Sequence, residues 1–64
     1  MKKYKATVEF RDVDTNTIYG TAVYHISEPN APAARIAALT ASEGSVYFDD
    51  RVDFRRGVVL EREA

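Results

Sequence analysis

Cysteine is absent from this 64-residue sequence, and long runs of apolar residues are absent as well. Without cysteine the chain has no disulfides, no thiolate chemistry and no cysteine-based metal cluster. No segment approaches the roughly 18 consecutive apolar residues of a membrane-spanning helix. The two lysines near the start are not followed by the apolar stretch of a signal peptide. We therefore expect a cytoplasmic protein that does not insert into a membrane.

An excess of charge of one sign is also lacking. The chain has nine Lys and Arg against ten Asp and Glu, for a formal net charge of −1. Nucleic-acid-binding proteins usually carry a basic excess that neutralises phosphates. The three glycines are widely separated, which excludes a glycine-rich phosphate loop. Direct binding to nucleic acid is therefore less favoured than binding to protein, and no nucleotide cofactor is expected.

Apolar and polar residues alternate along the first third of the chain, which is typical of β-strands with one buried face. Residues 4–10 alternate without exception, and a second strand is predicted over about residues 17–26. The segment 12–17 is rich in Asp, Asn and Thr, which favour turns. These features predict a β-hairpin, with a bulge or a close backbone approach at Gly20.

A break over residues 27–32 ends the second strand, because its two prolines donate no ladder hydrogen bond and disfavour helix in the residue before them. An alanine-rich helix is predicted over residues 32–42, capped near Asn30 or Ala31 and ended by Gly44. Five helix residues are predicted to pack on the sheet: Ala33, Ile36, Ala37, Leu39 and Thr40. The opposite helix face is predicted to consist of Arg35, Ala38 and Ser42.

Even-numbered apolar residues in the last third predict a second hairpin. Its turn falls at residues 49–51 or at residues 55–57; the earlier turn is favoured because it leaves a longer last strand, with a bulge at Arg56 and Gly57. The prediction is one α+β domain over residues 1–64, in the order ββαββ, with a four-stranded antiparallel sheet and one helix packed on one face. The predicted core consists of Tyr4, Ala6, Val8, Phe10, Ile18, Ala22, Tyr24, Ile26, Ile36, Leu39, Val46, Phe48, Val52, Phe54, Val58 and Leu60.

Asp12, Asp14 and Asn16 copy the first three ligand positions of a calcium-binding EF-hand loop. The sixth position of that loop is Thr17 instead of glycine, and the twelfth is Val23 instead of glutamate. We therefore interpret the segment as a plain turn and predict no metal site.

Catalytic groups are equally incomplete in this sequence. Asp49, Asp50 and Asp53 bring three carboxylates close together, but neighbouring arginines are expected to neutralise them. His25 and Ser27 share one side of a predicted strand, with no marked orienting acid and no marked oxyanion donors. We predict no enzymatic activity, no catalytic residues and no cofactor.

The predicted helix covers one face of the predicted sheet and leaves the other face bare. That bare face is partly apolar and carries two tyrosines, a composition favoured at protein interfaces. Strands are rich in Tyr, Val and Thr in any case, so a solvated face is the alternative interpretation. The predicted binding residues are Tyr19, Val23, His25, Tyr47, Arg51, Arg55 and Val59. A protein partner is predicted, and a homodimer would bury the same surface.

Nucleic-acid binding by the same face is the alternative function. Tyr19 and Tyr47 would then be stacking platforms for bases. The predicted phosphate contacts are Lys3, Lys5, Arg51, Arg55 and Arg56. Acidic residues are interspersed among these basic ones, which makes this function the second choice.

Residues 2–9, with the sequence KKYKATVE, resemble the opening strand of small phage inhibitors of bacterial RNA polymerase, which also set a helix against a short sheet. The acidic segment that follows the first strand in those inhibitors is not reproduced here. In length and in the general character of its sequence, the chain is also similar to phage-encoded inhibitors of host enzymes, including anti-CRISPR proteins. The resemblance implies a protein that blocks a surface of a host enzyme or nucleoprotein complex.

Overall fold

The computed structural model describes residues 1–48 and 54–63 and shows an α+β fold in the order ββαβ. The elements are β1 (Lys2–Asp12), β2 (Ile18–Glu28), α1 (Ala31–Ser42) and β3 (Phe54–Glu63). β1 is the central strand and pairs antiparallel with β2 on one side and with β3 on the other. The helix packs across all three strands on one face of the sheet.

The predicted four-stranded sheet and the order ββαββ are wrong, because the described residues form three strands. Residues 43–47 form turns and a bend after the helix instead of the first strand of a second hairpin. The favoured turn at residues 49–51 lies outside the described residues. The alternative turn at residues 55–57 and the bulge at Gly57 are also wrong, because β3 pairs with β1 in unbroken register. Alternation over so few residues does not distinguish a strand from a turn.

The predicted turn between β1 and β2 is present, and Asp12 organises it. The Asp12 carboxylate oxygen Oδ1 accepts hydrogen bonds from the backbone N–H groups of Asp14 (2.8 Å) and Thr15 (3.2 Å). Asn16 takes a left-handed conformation with φ of 58°, which asparagine tolerates well. The Asp12 carboxylate therefore stabilises the loop backbone.

The limits of the helix agree with the prediction. Asn30 is the N-cap, and its Oδ1 accepts a hydrogen bond from the backbone N–H of Ala33 at 2.9 Å. Pro32 lies in the first turn, where a missing N–H leaves no hydrogen bond unmade. The helix ends at Ser42, two residues before Gly44. Capping and proline placement are local signals, which is why the sequence alone predicted them correctly.

The buried face of the helix is centred on different residues from the predicted ones: Ala38 and Ser42 were predicted on the far face and are buried, whereas Ala33, Ala37 and Leu39 of the predicted stripe are only half-buried. Ala34, Ala38 and Ser42 are fully buried, whereas Ile36 is 67% exposed. The three buried residues follow a spacing of four, so they lie on one side of the helix. Their small side chains let the helix backbone approach a sheet that already presents bulky aromatic side chains. The predicted stripe is wrong in being centred on Ile36, because the residues that meet the sheet most closely are the small ones at positions 34, 38 and 42.

The core lies between the helix and the even-numbered residues of β1. Its buried apolar members are Tyr4, Ala6, Val8, Phe10, Ala34 and Ala38. Half-buried residues packed against it are Ala22, Tyr24, Ile26, Phe48, Val58 and Leu60. Ile18, Ile36 and Val46 were predicted in the core but are exposed. Val52 lies outside the described residues.

Arg56 closes the end of the core beside the C-terminal turn of the helix. Its Nη1 donates hydrogen bonds to the Leu39 carbonyl oxygen and to the Ser42 Oγ, both at 2.9 Å. Its guanidinium carbon lies 5.0 Å from the centre of the Phe48 ring. Ser42 Oγ in turn donates to the Leu39 carbonyl at 2.7 Å. A cation is favourable at a helix C-terminus, where carbonyl groups are left unpaired by the helix itself.

Arg56→Met is expected to lower the free energy of unfolding by about 1.5 kcal/mol, because it removes charge-assisted hydrogen bonds at a partly buried site. Arg55→Met is the matched control, since Arg55 is exposed and its side chain makes no hydrogen bond or ion pair with a described residue. Urea unfolding followed by circular dichroism measures both values. Equal losses for the two variants would contradict this role of Arg56.

Candidate functional site

One face of the sheet carries no helix from residues 1–48 and 54–63, and we call it the open face. In β1 the even-numbered residues are buried under the helix, so the odd-numbered side chains point to the other side. The pairing registers extend this face to the neighbouring strands. Its residues are Lys3, Lys5, Thr7, Glu9 and Arg11 of β1, Ile18, Thr21, Val23, His25 and Ser27 of β2, and Arg55, Gly57, Val59, Glu61 and Glu63 of β3.

A row of three β-branched residues crosses the middle of the open face. Thr7 of β1 lies opposite Val23 of β2 and opposite Val59 of β3. Val23 and Val59 are each 49% exposed, so no described element covers them. We call these three residues the central row. The structure thus places the predicted binding residues Val23 and Val59 together on one exposed surface.

The charges around the central row are mixed in sign. The basic residues are Lys3, Lys5, Arg11 and Arg55, and the acidic residues are Glu9, Glu61 and Glu63. Between described residues, Glu9 forms an ion pair with Arg11 at 3.7 Å, and His25 Nδ1 forms a hydrogen bond with Glu63 Oε1 at 3.1 Å. Exposed pairs of this kind contribute little stability, so these charges act mainly on what approaches the face.

His25 and Arg55 lie on the open face, as predicted. His25 stands opposite Lys5 and reaches across β1 to Glu63. Arg55 stands opposite Arg11, which brings two like charges together at one end of the face. Arg51 is a predicted binding residue that lies outside the described residues.

Tyr19 and Tyr47 do not lie on the open face, and their predicted placement there is wrong. Both rings pack against Phe10 on the helix side, with centroid distances of 6.2 and 5.8 Å. Their own centroids are 6.4 Å apart in an edge-on arrangement, and the Tyr19 hydroxyl donates to the Tyr47 carbonyl oxygen at 3.2 Å.

A β-bulge explains the position of Tyr19. Phe10 pairs with Gly20, but the next residue, Arg11, pairs with Ile18, so Tyr19 is the extra residue of β2. The bulge shifts Ile18 to the open face and Tyr19 to the helix face. Strict alternation had assigned these two residues the other way round.

Tyr47 lies in the segment after the helix, where its ring covers Gly20. A Cβ atom added at Gly20 would overlap that ring, at 2.6 Å from Tyr47 Cε1. The expected close approach at Gly20 is therefore confirmed, and an aromatic side chain makes it. The two tyrosines and Phe10 form a structural cluster at one end of the core.

Lys5 and Glu9 are parts of the open face that the predicted protein-binding residues omitted, although Lys5 was a predicted phosphate contact in the nucleic-acid alternative. The signal for them was present, because both alternate with buried residues along β1. Their importance depends on β1 being the central strand, which places them on either side of Thr7 in the middle of the face. The alternation of apolar and polar residues predicts that a segment is a strand, but it does not predict whether that strand is central or at an edge of the sheet.

No protein family model matches the chain, and no curated protein or solved structure is similar to it. In residues 1–48 and 54–63, no helix is both long and apolar enough to cross a bilayer. The same residues contain no group of three acidic or histidine side chains arranged to hold a metal ion. The interpretation of function therefore depends on the geometry of the open face.

Proposed function

We propose that this chain is a protein-binding module that receives another protein on its open face. The observation that carries the proposal is the central row, in which Val23 and Val59 are half exposed in the middle of a sheet face that no described element covers. Small apolar centres with a polar rim are the usual composition of protein interfaces. The ring of mixed charges around the row provides such a rim.

The balance of charge favours protein over nucleic acid as the partner. Basic and acidic side chains are nearly equal in number on the open face, so phosphate groups would meet repulsion as well as attraction. The nucleic-acid alternative also required Tyr19 and Tyr47 as stacking platforms on this face. Both rings pack against Phe10 on the other side of the sheet.

We further propose that docking blocks a surface of the partner. The resemblance of residues 2–9 to phage inhibitors of RNA polymerase supports this mode of action. Those residues lie within β1, the strand that runs through the centre of the open face. The partner class expected on this basis is a host enzyme or a nucleoprotein complex.

The double variant Val23→Arg plus Val59→Arg tests the proposal, because it places two cations in the apolar centre of the face. Tagged wild-type and variant proteins are immobilised at low density and used to capture proteins from a bacterial lysate. We expect the variant to lose the captured partner. Circular dichroism establishes that the variant is folded.

The matched control is Ile36→Arg plus Val46→Arg, which makes the same chemical change at two exposed positions outside the sheet. We expect this control to keep the partner. Loss of the partner by the control alone would contradict the proposal. Capture that falls steeply with salt and disappears after nuclease treatment would support the nucleic-acid alternative instead.

A further inference from the structure

Two pairs of charged residues on the open face have opposite signs at matching positions on the two sides of the central row. On β1, Lys5 and Glu9 lie two residues to either side of the row. On β3, Glu63 and Arg55 lie four residues to either side of it. When a second copy is rotated by 180° about the central row, the opposite charges of the two copies face each other. Such self-complementarity is the condition for an isologous interface.

We propose that the open face receives a second copy of this chain, in a dimer whose two-fold axis runs along the central row. In this dimer each central-row residue faces its own counterpart. Lys5 of each copy faces Glu9 of the other, and Glu63 of each faces Arg55 of the other. The inference rests on the proposed function, since it names one protein that the open face receives.

Single chains leave charges on this face without partners, and the second copy supplies those partners. Lys5 and Arg55 form no ion pair with any described residue, although Lys5 stands opposite Glu61 in the register. Arg55 stands opposite Arg11, and like charges at directly paired positions are unfavourable. Glu63 of the second copy would lie beside these two arginines once its carboxylate leaves His25, which it contacts at 3.1 Å within the single chain.

Two further positions of the face meet in the dimer. Glu61 of one copy faces Gly57 of the other, and a Cβ atom added at Gly57 would have no neighbour within 4 Å, so there is room for a longer side chain. Lys3 faces Arg11 of the other copy, the one pair of like charges. Within each chain, Glu9 lies 3.7 Å from Arg11 and offsets its charge. Lys3 and Arg11 are also at the solvated rim of the face, where salt screens the repulsion between them.

The twist of the two sheets preserves the charge pairs on β1. Packed sheets cross at about 30°, and side chains two residues from the axis lie roughly 7 Å away from it. The crossing therefore displaces Lys5 from Glu9 of the second copy by only about 4 Å. The flexible lysine and glutamate side chains span such a displacement.

The area of the face predicts a weak dimer. Three strands about 4.8 Å apart and about nine residues long give a face of roughly 400 Å² on each copy. The total is below the ~1,200 Å² of a stable interface, so weak association is expected.

Sedimentation equilibrium from roughly 10 µM to 1 mM tests the dimer. We expect the wild-type mass to rise with concentration towards twice the 7.2 kDa of one chain. Lys5→Glu alone and Glu9→Lys alone are each expected to weaken association about tenfold or more, since each creates two repulsive contacts in a symmetric dimer.

Two samples that restore opposite charges at positions 5 and 9 provide the decisive comparison. An equal mixture of the Lys5→Glu and Glu9→Lys variants is expected to recover association, because in the mixed dimer both contacts between positions 5 and 9 join opposite charges. The double variant Lys5→Glu plus Glu9→Lys is expected to recover it as well. Recovery also shows that each single variant is folded, because an unfolded chain does not associate through a sheet face.

A wild-type protein that stays monomeric at the highest concentration would overturn the dimer. Single variants that associate as the wild type does, or a mixture that recovers nothing, would also overturn it. None of these results affects the capture of another protein by the open face. The opposite outcome is also distinguishable. If the wild-type protein dimerises but the Val23→Arg plus Val59→Arg variant still captures the partner, the proposed function is refuted and the dimer is not.

Discussion

Ala38→Lys is expected to unfold the chain, whereas Ile36→Lys is expected to leave the free energy of unfolding within about 0.5 kcal/mol of its wild-type value. Ala38 is fully buried in the cluster formed with Ala6, Val8 and Phe10. An ammonium group there would lose its hydration without gaining a counter-ion, at a cost of about 4 kcal/mol or more. A chain of this length has only about 3–5 kcal/mol of total stability.

The two variants are matched, because each introduces the same good helix former two residues apart on one helix. Ile36 is 67% exposed, so its replacement removes little packing. Circular dichroism and urea unfolding compare the two proteins. A folded Ala38→Lys protein together with an unfolded Ile36→Lys protein would reverse the assignment of the buried helix face.

Gly20→Ala is expected to lower the free energy of unfolding by about 2 kcal/mol, although alanine is normally the better strand residue. The added methyl group would overlap the Tyr47 ring. Either the ring leaves its position against Phe10 and Tyr19 or the strand moves, and both responses lose packing.

The sign of this effect depends on Tyr47. In a Tyr47→Ala background the same Gly20→Ala change is expected to stabilise the protein by about 0.5 kcal/mol, because the methyl group then has space and the unfolded chain loses entropy. A double-mutant cycle from four urea unfolding curves measures the coupling. Equal effects of Gly20→Ala in both backgrounds would show that the ring does not cover this glycine.

The local elements of the fold could be predicted from the sequence. The strict alternation of residues 4–10 predicted β1, and the polar segment after it predicted the turn that Asp12 stabilises. Asn30 and Pro32 predicted the start of the helix. Each of these signals depends on residues a few positions apart, so no tertiary contact was needed.

The number of strands could not be predicted in the same way. Val46 and Phe48 continue the alternation of β3, but the segment that contains them forms turns. Phe48 packs against the core and Val46 is 92% exposed, so two residues with the same pattern have different surroundings. The structure of a segment with such a short pattern depends on what the segment packs against.

The candidate site was predicted in part. Val23, His25 and Val59 lie on the open face because they keep the period of their strands. Tyr19 was misplaced because a bulge interrupts that period by one residue, and a shift of one residue moves a side chain to the other face.

By itself the sequence determined where the first hairpin and the helix lie and which face of β1 is buried, because periodicity and capping act between near neighbours along the chain. Only the tertiary structure decided that β1 is central, that Ala38 and not Ile36 meets the sheet, and that Tyr47 covers Gly20. These features depend on the shapes of surfaces that are distant in the sequence. A small alanine is buried where the helix must come close, and a large isoleucine is left outside for the same reason.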